Sequence, residues 1–285
     1  MVYSVLAPAL GETVLDVTLG LGGHAERFLE AIGPTGRLIG LDADPRNLEV
    51  ARERLQGRGV TELQHANFRD LASLKLPPIG ILFADLGLSS PHLDDPNRGF
   101  TFRTDAPLDL RFDQSQGETA AALIARSDAD GLFEIFRTYG EFAGGAKLSR
   151  ALAGKDIATT FALKRTVENV FGYRAKALLP QIFQALRIAV NDELRALEHL
   201  LEVGPHLLCP GGRMGIISYH SLEDRPVKRA FRALASPEKA PLTGRTVRPA
   251  PFVLLTPKAL VPSPDEIASN PRSRSAKFRV LKRQQ

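Results

Sequence analysis

The sequence predicts an α/β fold in which a Rossmann-like sheet is interrupted by an inserted helical domain. In the first third of the chain, short β-rich runs alternate with helical patterns, which is typical of βαβ units and a parallel sheet. From about residue 86 to residue 177 there are helical stretches but no run that indicates a buried strand. An interruption of roughly 80 residues is too long for an ordinary loop, so a helical domain is expected there.

Four strands are predicted before the insertion. Three of them are short runs rich in β-branched or aliphatic residues, at residues 13–18, 37–41 and 80–84, and the third strand in chain order, at residues 62–65, has a weaker pattern. A helix follows the first strand and reaches about Ile32. Another helix covers residues 45–55, with Pro45 near its first turn, where the fixed φ of proline suits a helix.

The rest of the chain is predicted to return to the sheet after the helical insertion. Apolar residues recur at helical spacing over about residues 176–203, which predicts one long amphipathic helix. The other predicted elements, in order, are helical stretches near 119–139 and 142–152, a tight turn at 209–212, a strand at 213–218, a helix at about 222–234, a proline-rich extended stretch at 235–274 around a strand at 252–255, and a last strand at 277–282. The predicted domains are residues 1–95 with 180–285, and the insertion 96–179.

Composition limits the class of protein. A lone cysteine, Cys209, excludes an internal disulfide framework and a clustered-cysteine zinc site, so no metal is expected. No apolar run approaches the roughly 20 residues that span a membrane, and no leader pattern opens the chain. We therefore expect a cytoplasmic protein with no membrane partner.

Charge is distributed unevenly along the chain. Residues 225–283 contain 14 Lys and Arg but only 3 Asp and Glu, whereas residues 1–224 contain 23 and 29. A basic last quarter on a mildly acidic body favours a polyanionic partner, although a solvated basic tail has the same composition.

Three groups of residues are expected at the carboxyl ends of the strands, where open α/β sheets bind ligands. The first is the glycine-rich turn 16–24 (DVTLGLGGH), which lets the backbone approach a ligand at a helix N-terminus. The second is Asp42, at the end of the second strand, where a carboxylate can accept both hydroxyls of a ribose. The third is the segment 85–91 (DLGLSSP), which begins with Asp85. Together they indicate an adenosine-type cofactor.

The glycine spacing narrows the choice of cofactor. The turn contains GxGG and matches neither the dinucleotide fingerprint GxGxxG nor a phosphate loop with GK[ST]. S-adenosylmethionine (SAM) also requires a ribose carboxylate and a glycine-rich loop but no grip on a pyrophosphate. This comparison favours a methyltransferase over an NAD enzyme.

Several short strings follow one another along nearly the whole chain. They are TLGLGGH at 18–24, DADP at 42–45, DLGLSSP at 85–91 followed by LDD at 93–95, RGF at 98–100, PLDLR at 107–111, FQALRIAVN at 183–191, PGGR at 210–213, ISYHSLEDR at 217–225 and NPRSRSAK at 270–277. In this order they resemble the bacterial ribosomal RNA small subunit methyltransferase H family. The resemblance implies a SAM-dependent methyltransferase sheet with a helical insertion that helps to recognise RNA. It also implies a substrate, the N4 amine of a cytidine in the decoding region of 16S rRNA within the small ribosomal subunit.

The resemblance also implies positions for the cofactor. They are Gly22, Gly23, His24, Asp42, Phe68, Asp85 and His92, with Phe68 beside the adenine. Members of the family usually carry Gln where this chain has His92.

Catalytic and substrate-binding residues are expected at the same edge of the sheet. Asp85 is a candidate for stabilising positive charge that develops on the amine, and His220 for contacting the base or accepting a proton. Tyr219 is a candidate for stacking on the cytosine, as RNA readers do with unpaired bases, and Ser218 is expected to bind substrate beside it.

Outside that edge, a helix and the basic tail are expected to contact the substrate. Arg187 and Asn191 are four residues apart, so they share one helix face, which we expect to face the RNA. On the last strand, Lys277 and Arg279 share one side and are expected to contact phosphates.

Two other functions fit the same sequence. An amino-methyltransferase that acts on DNA would carry the methyl group into duplex DNA instead of ribosomal subunits. A nucleic-acid-binding protein that keeps the fold without turnover would fail to bind SAM. The cofactor positions Gly22, Gly23, Asp42 and Asp85 are intact, which favours the enzyme.

Overall fold

The computed structural model describes residues 1–241 and 244–285. The strands, numbered in chain order, are β1 Thr13–Asp16, β2 Arg37–Asp42, β3 Val60–His65, β4 Ile79–Asp85, β5 Leu208–Ser218, β6 Glu238–Lys239, β7 Thr246–Arg248, β8 Phe252–Leu254 and β9 Lys277–Arg283. The helices are α1 Val2–Leu6, α2 Gly23–Ile32, α3 Pro45–Leu55, α4 Ser90–Asp94, α5 Ala120–Arg126, α6 Ala129–Tyr139, α7 Gly145–Leu152, α8 Thr160–Phe171, α9 Ala175–Asn191, α10 Glu193–Leu207, α11 Ser221–Leu234 and α12 Pro264–Ser269. Two residues of the predicted extended stretch, 242 and 243, lie outside the described part.

The chain divides into two compact units. One contains residues 1–87 and 194–285, and the other contains residues 88–193. The boundaries expected from the sequence lie after residues 95 and 179. Both sheets belong to the first unit, and α4 to α9 belong to the second.

The main sheet of the first unit has the strand order β3-β2-β1-β4-β5-β9-β8. The first five strands in this order pair in parallel, β9 runs antiparallel to β5, and β8 runs antiparallel to β9. The chain proceeds outward from β1 to β3 and then returns to the other side of β1 as β4. This reversal places a topological switch point between β1 and β4, where α/β sheets open a crevice at the carboxyl ends of the strands.

Both faces of this sheet are buried. Successive side chains of β1 point to opposite faces, so Val14 packs in the cluster that contains Phe28 of α2, and Leu15 packs in the cluster that contains Leu200 of α10. All four side chains are at most 1% exposed, since helices cover the sheet on each side. Near-continuous apolar strands such as β4 (IGILFAD) are typical of this arrangement.

The single helix predicted for residues 176–203 is in fact two helices. α9 ends at Asn191 because Asp192 adopts a left-handed conformation with φ 52°, and α10 begins at Glu193. Aspartate tolerates this conformation better than most residues. The apolar spacing continues across the break, so the sequence pattern predicts one continuous helix. The sequence analysis did not predict the helices α1, α4, α8 and α12 or the paired strands β6 and β7.

The second unit is helical and has its own core. Its buried side chains come from α5 to α9 and the loops that precede them, and include Leu132, Phe136, Leu148, Leu163 and Ile182, each at 0% exposure. The predicted helical insertion therefore exists as a unit that can bury its own apolar surface.

In the described residues, no helix is both long and apolar enough to cross a bilayer. The same residues contain no group of three or more His, Cys, Asp and Glu that could hold a metal ion.

Candidate cofactor and catalytic site

The glycine-rich turn between β1 and α2 forms one wall of the candidate site. Gly22 caps α2 with φ 79°, in the left-handed region that favours glycine, and Gly23 begins the helix. A β-carbon on Gly22 would also lie 3.4 Å from the side chain of Leu55 on α3. That distance is an ordinary van der Waals contact, so the turn depends on glycine for its left-handed conformation.

Asp42 connects this turn to the end of β2. Its Oδ2 accepts a hydrogen bond from the backbone N–H of Gly20 at 2.7 Å, while Oδ1 accepts from the N–H of Asp44 at 2.8 Å and from Nδ2 of Asn47 at 3.2 Å. Asp44 performs the separate task of capping α3, where its side chain accepts from the N–H of Arg46 at 3.0 Å. Asp42 is thus held at the strand end by backbone donors and does not act as the helix cap.

Asp85, at the end of β4, lies in a hydrogen-bonded network across the switch point. The Tyr219 hydroxyl donates to its Oδ1 at 2.9 Å, and its backbone N–H donates to Oγ1 of Thr18 at 2.6 Å. Burial raises the pKa of Asp85 to about 6, with the charge of Glu223 acting in the same direction and the Tyr219 hydrogen bond opposing it. The carboxyl side chain remains 29% exposed, so it can reach a ligand.

His24, the second residue of α2, faces the same carboxylate. Its Nε2 lies 3.8 Å from Oδ2 of Asp85, and its Nδ1 lies 2.7 Å from the Tyr3 hydroxyl. Burial, together with the charge of Arg27, lowers the pKa of His24 to about 4. The ring is therefore neutral at pH 7 and offers hydrogen bonds instead of a charge.

Asp16, the last residue of β1, is a third carboxylate at this edge. Its side chain is fully buried; Oδ1 accepts from the N–H of Thr18 at 3.1 Å, but Oδ2 has no hydrogen-bond partner among the described residues. Burial raises its pKa to about 7, and the charges of Asp85 and Asp42 add to that rise. A buried carboxylate oxygen without a donor is costly unless a ligand or a proton satisfies it.

Phe68 follows β3 and begins a short 3₁₀ turn, Phe68–Ser73. It is half-buried and packs against the core cluster of the first unit. A role beside an adenine ring remains a prediction for this side chain.

The end of β5 brings Ser218, Tyr219 and His220 together with Glu223 of α11. Oε2 of Glu223 accepts from the N–H of Tyr219 at 2.7 Å, and Oε1 lies 3.1 Å from Nε2 of His220. Both ring nitrogens of His220 are buried, and the ring caps the N-terminus of α11 in a capping box with Glu223. Ser218 is 1% exposed, and its hydroxyl donates to the Lys277 carbonyl at 3.4 Å, so it faces the neighbouring strand β9.

The Tyr219 ring is positioned by a glycine. A β-carbon on Gly87, whose φ is 114°, would lie 3.3 Å from Cδ2 of Tyr219. The ring packs against the apolar cluster on one face of the sheet, and its hydroxyl is used by Asp85. The structure thus shows Tyr219 orienting a carboxylate, whereas stacking on a base remains a prediction.

The second unit contains the other predicted site residues, and they organise a loop. Oδ1 of Asn191 accepts from the N–H of Phe112 at 2.8 Å, and its Nδ2 donates to the Leu110 carbonyl at 2.7 Å. Leu110 has a left-handed φ of 65°, a conformation that a leucine adopts only when its surroundings impose it. Arg187 forms a two-pronged ion pair with Glu193 at 2.8 and 3.0 Å. Both side chains therefore make contacts inside the unit, in addition to any contact with substrate.

His92 is also part of the second unit. It is 4% exposed, and its ring lies 5.2 Å from Phe100 and 5.1 Å from Phe112, measured between ring centroids. Its Nδ1 accepts from the N–H of Ser89 at 3.2 Å. A contact between His92 and the cofactor remains a prediction.

Lys277 and Arg279 share one side of β9, as predicted, but they contact a carboxylate. Arg279 is 9% exposed, and its Nε donates to Oδ1 of Asp224 at 2.8 Å, while Nζ of Lys277 lies 3.4 Å from Oδ2. Asp224 belongs to α11, which is far from β9 in the sequence. Arg279 is buried in this ion pair, so Asp224 competes with the phosphate contact that was expected for the Arg279 guanidinium.

Comparison with known proteins identifies the family. The family model described as the MraW methylase family matches residues 2–284. The chain belongs to the MraW methylase family. A protein of Thermomicrobium roseum called ribosomal RNA small subunit methyltransferase H is 44% identical over 296 aligned positions, which cover 98% of this chain and 90% of that protein. Proteins with the same name from a Cyanothece strain and from Sorangium cellulosum are 43% and 41% identical, over 96% and 99% of this chain and 88% of each relative.

Membership of the MraW methylase family confirms the resemblance stated from the motifs and the predicted α/β methyltransferase fold. It also confirms SAM as the cofactor, because this is a family of SAM-dependent methyltransferases. The roles of individual site residues are not tested by this membership and stay predictions.

Asp16 and Glu223 were not among the predicted site residues. Asp16 had a usable signal, since it ends β1 just as Asp42 ends β2 and Asp85 ends β4. Glu223 had none, because a glutamate in the first turn of a helix is common on chemical grounds alone.

Proposed function

We propose that this chain transfers a methyl group from SAM to the N4 amine of a cytidine in the decoding region of 16S rRNA. The products are N4-methylcytidine and S-adenosylhomocysteine. Membership of a methylase family and relatives that are called rRNA small subunit methyltransferases support the class of substrate. The observation that supports this site most strongly is the set of carboxylates Asp16, Asp42 and Asp85 at the ends of β1, β2 and β4, around one glycine-rich turn.

The residues at this edge fit the chemistry of SAM. SAM has two ribose hydroxyls, which need acceptors, and an ammonium and a sulfonium group, which carry positive charge. Asp42 is the acceptor for the ribose in our proposal, and Gly22 and Gly23 leave room for the backbone to approach the cofactor. The buried Oδ2 of Asp16, which has no hydrogen-bond partner among the described residues, fits a cationic or donor group.

When bound, SAM supplies an electrophilic methyl group on its sulfonium. The cytidine N4 lone pair is delocalised into the ring, which makes the amine a weak nucleophile. Positive charge develops on N4 as it donates this pair to the methyl carbon and the carbon–sulfur bond breaks. An ionised Asp85, oriented by Tyr219 and Thr18, stabilises that charge electrostatically. His220, at the same strand end, is the proposed acceptor for the amine proton.

The unit 88–193 is the proposed RNA-recognition domain, and the proposed partner is 16S rRNA within the small ribosomal subunit. The cytoplasm is the proposed location, since the subunits are there. In this unit Asn191 and Arg187 hold the loop and helix end that they contact, and we assign His92 the same kind of task at its loop.

The test is to incubate the protein with methyl-labelled SAM and small ribosomal subunits from cells that lack the gene. The labelled position is then mapped by nuclease digestion and mass spectrometry. We expect the label on one decoding-region cytidine, as N4-methylcytidine. Asp85→Asn removes the charge and is expected to abolish detectable labelling, and Asp42→Asn is expected to weaken SAM binding in calorimetry by about 10- to 150-fold, the equivalent of one charge-assisted hydrogen bond.

A matched control is Glu49→Gln, which removes an exposed carboxylate of α3 that has no hydrogen-bond or ion-pair partner among the described residues. It should methylate subunits like the unaltered protein. Label on another base, on a ribose or on duplex DNA would contradict the proposed substrate. Measurable SAM binding without any label on subunits would mean that the substrate is wrong although the cofactor site is right.

A further inference from the structure

A basic groove lies between α7 and α8 in the helical unit. Three cationic side chains line it, Lys147, Arg150 and Lys155, together with the polar side chains of Thr166 and Asn169. Among the described residues that line the groove, none is a carboxylate. A groove of this composition fits an anionic ligand.

The cations are available to such a ligand. Nζ of Lys147 donates to the Val170 carbonyl at 2.8 Å, which holds the ammonium at the groove and leaves two of its protons free to donate. Arg150 and Lys155 are exposed, and their side chains have no hydrogen-bond or ion-pair partner in the described part of the chain. In the described part of the chain, therefore, no side chain or carbonyl neutralises or binds these two cations.

The charges of the helical unit are unevenly distributed, and the positive excess lies in the segment that contains the groove. Residues 142–176 contain 7 Lys and Arg against 2 Asp and Glu, whereas residues 88–141 contain 5 against 10. Charges of both signs are enough to keep a surface soluble. A segment in which one sign dominates also raises the local concentration of an oppositely charged partner. A polyanion is favoured over a small anion because the excess extends over both helices.

An exposed aromatic side chain lies at one end of the groove. Tyr173 is 95% exposed and follows Val170, a groove residue, by three positions, in the turn after α8. Its neighbour Arg174 is exposed as well. Cations along a groove with an aromatic ring beside them are the combination that single-stranded nucleic acids bind, through phosphates and through stacked bases.

We propose that the α7–α8 groove binds the sugar-phosphate backbone of an unpaired RNA segment and that Tyr173 stacks on one of its bases. This inference rests on the proposed function, because it takes the substrate to be RNA. The stacked base must be unpaired, since a base inside a duplex presents no free face. The groove contacts position the RNA and carry no sequence information.

The test compares two double variants that remove the same charge from the same unit. Arg150→Gln with Lys155→Gln alters the groove. Arg126→Gln with Arg137→Gln is the control, because both arginines are exposed and paired with Glu118 and Glu134 in the acidic half. Binding of a labelled single-stranded RNA is measured by fluorescence anisotropy over a range of salt concentrations. Losing two phosphate contacts should reduce the slope of log K against log salt by about 1.4, and the control should keep its slope.

Tyr173 is tested separately in the same assay. Tyr173→Ala should weaken binding by about 5- to 150-fold, the loss expected for one stacked base, while Tyr173→Phe should keep it. SAM binding by all variants, measured by calorimetry, shows that they are folded.

Failure of this proposal differs from failure of the proposed function. If the unaltered protein methylates subunits but the groove variant keeps the salt slope and Tyr173→Ala keeps the affinity, the groove proposal is wrong and the function stands. If the unaltered protein binds no RNA and labels no subunits, both are wrong. A slope that falls equally in the groove and control variants would also overturn the groove proposal, since it would reflect total charge alone.

Discussion

Replacing Tyr219 by Phe should move the pH dependence of methyl transfer to higher pH. The substitution removes one hydroxyl, which donates to Oδ1 of Asp85 at 2.9 Å and holds the pKa of Asp85 down against its burial. A hydrogen bond to a charged group is worth about 1.5–3 kcal/mol, which corresponds to roughly 1–2 pKa units. Because the Asp85 side chain is 29% exposed, solvent screening places the effect near the lower end.

The pKa of Asp85 is therefore expected to rise from about 6 to roughly 7. If the ionised carboxylate is the active form, activity rises with pH through this pKa. At pH 6.5 the variant should retain about one third of the activity of the unaltered protein, whereas at pH 8.5 the two should be nearly equal. The assay is kcat/KM with small subunits as a function of pH, because this ratio reports the pKa values of the free enzyme.

Tyr139→Phe is the matched control, since it removes a tyrosine hydroxyl from the other unit and should leave the pH profile unchanged. A Tyr219→Phe variant with the same midpoint as the unaltered protein would refute the reasoning, because Asp85 would then not titrate in the active site. Tyr219→Phe keeps the aromatic ring, so any stacking on a base is preserved and does not affect the comparison.

Three further predictions concern stability, each measured by urea denaturation. In the folded protein Asp16 keeps its proton up to about pH 7, so the free energy of unfolding should fall by up to roughly 1.4 kcal/mol per pH unit between about pH 4 and pH 7. Asp16→Asn should remove this contribution to the slope. Parallel pH profiles for the variant and the unaltered protein would contradict the prediction. Asp224→Asn leaves the buried Arg279 without its carboxylate and should cost about 3–5 kcal/mol, while Lys277→Met should cost less than about 1 kcal/mol because Lys277 is 43% exposed. Asn191→Ala leaves the Phe112 N–H without its acceptor and should cost about 1–3 kcal/mol. A neutral result would contradict this prediction and would mean that water replaces the side chain.

A comparison of individual elements shows how much of the fold local sequence patterns can predict. The strands β1, β2 and β4 and the helix α3 were predicted within a few residues because each is encoded by its own run of side chains and its own turn residues. The break at Asp192 was not, because the apolar spacing of α9 continues in phase into α10 and a single aspartate in a left-handed conformation interrupts only the backbone.

By itself, the sequence determined the parallel sheet, the helical insertion and the placement of Asp42 and Asp85 at strand ends, since these follow from periodicity and from the rule that parallel strands end at one edge. Only the tertiary structure decided what those carboxylates contact. Tyr219 meets Asp85 across 134 positions of sequence, and Arg279 meets Asp224 across 55. The burial that raises the pKa of Asp16 is likewise a property of the assembled sheet, because desolvation depends on which side chains surround a group in space and not on its neighbours in the chain.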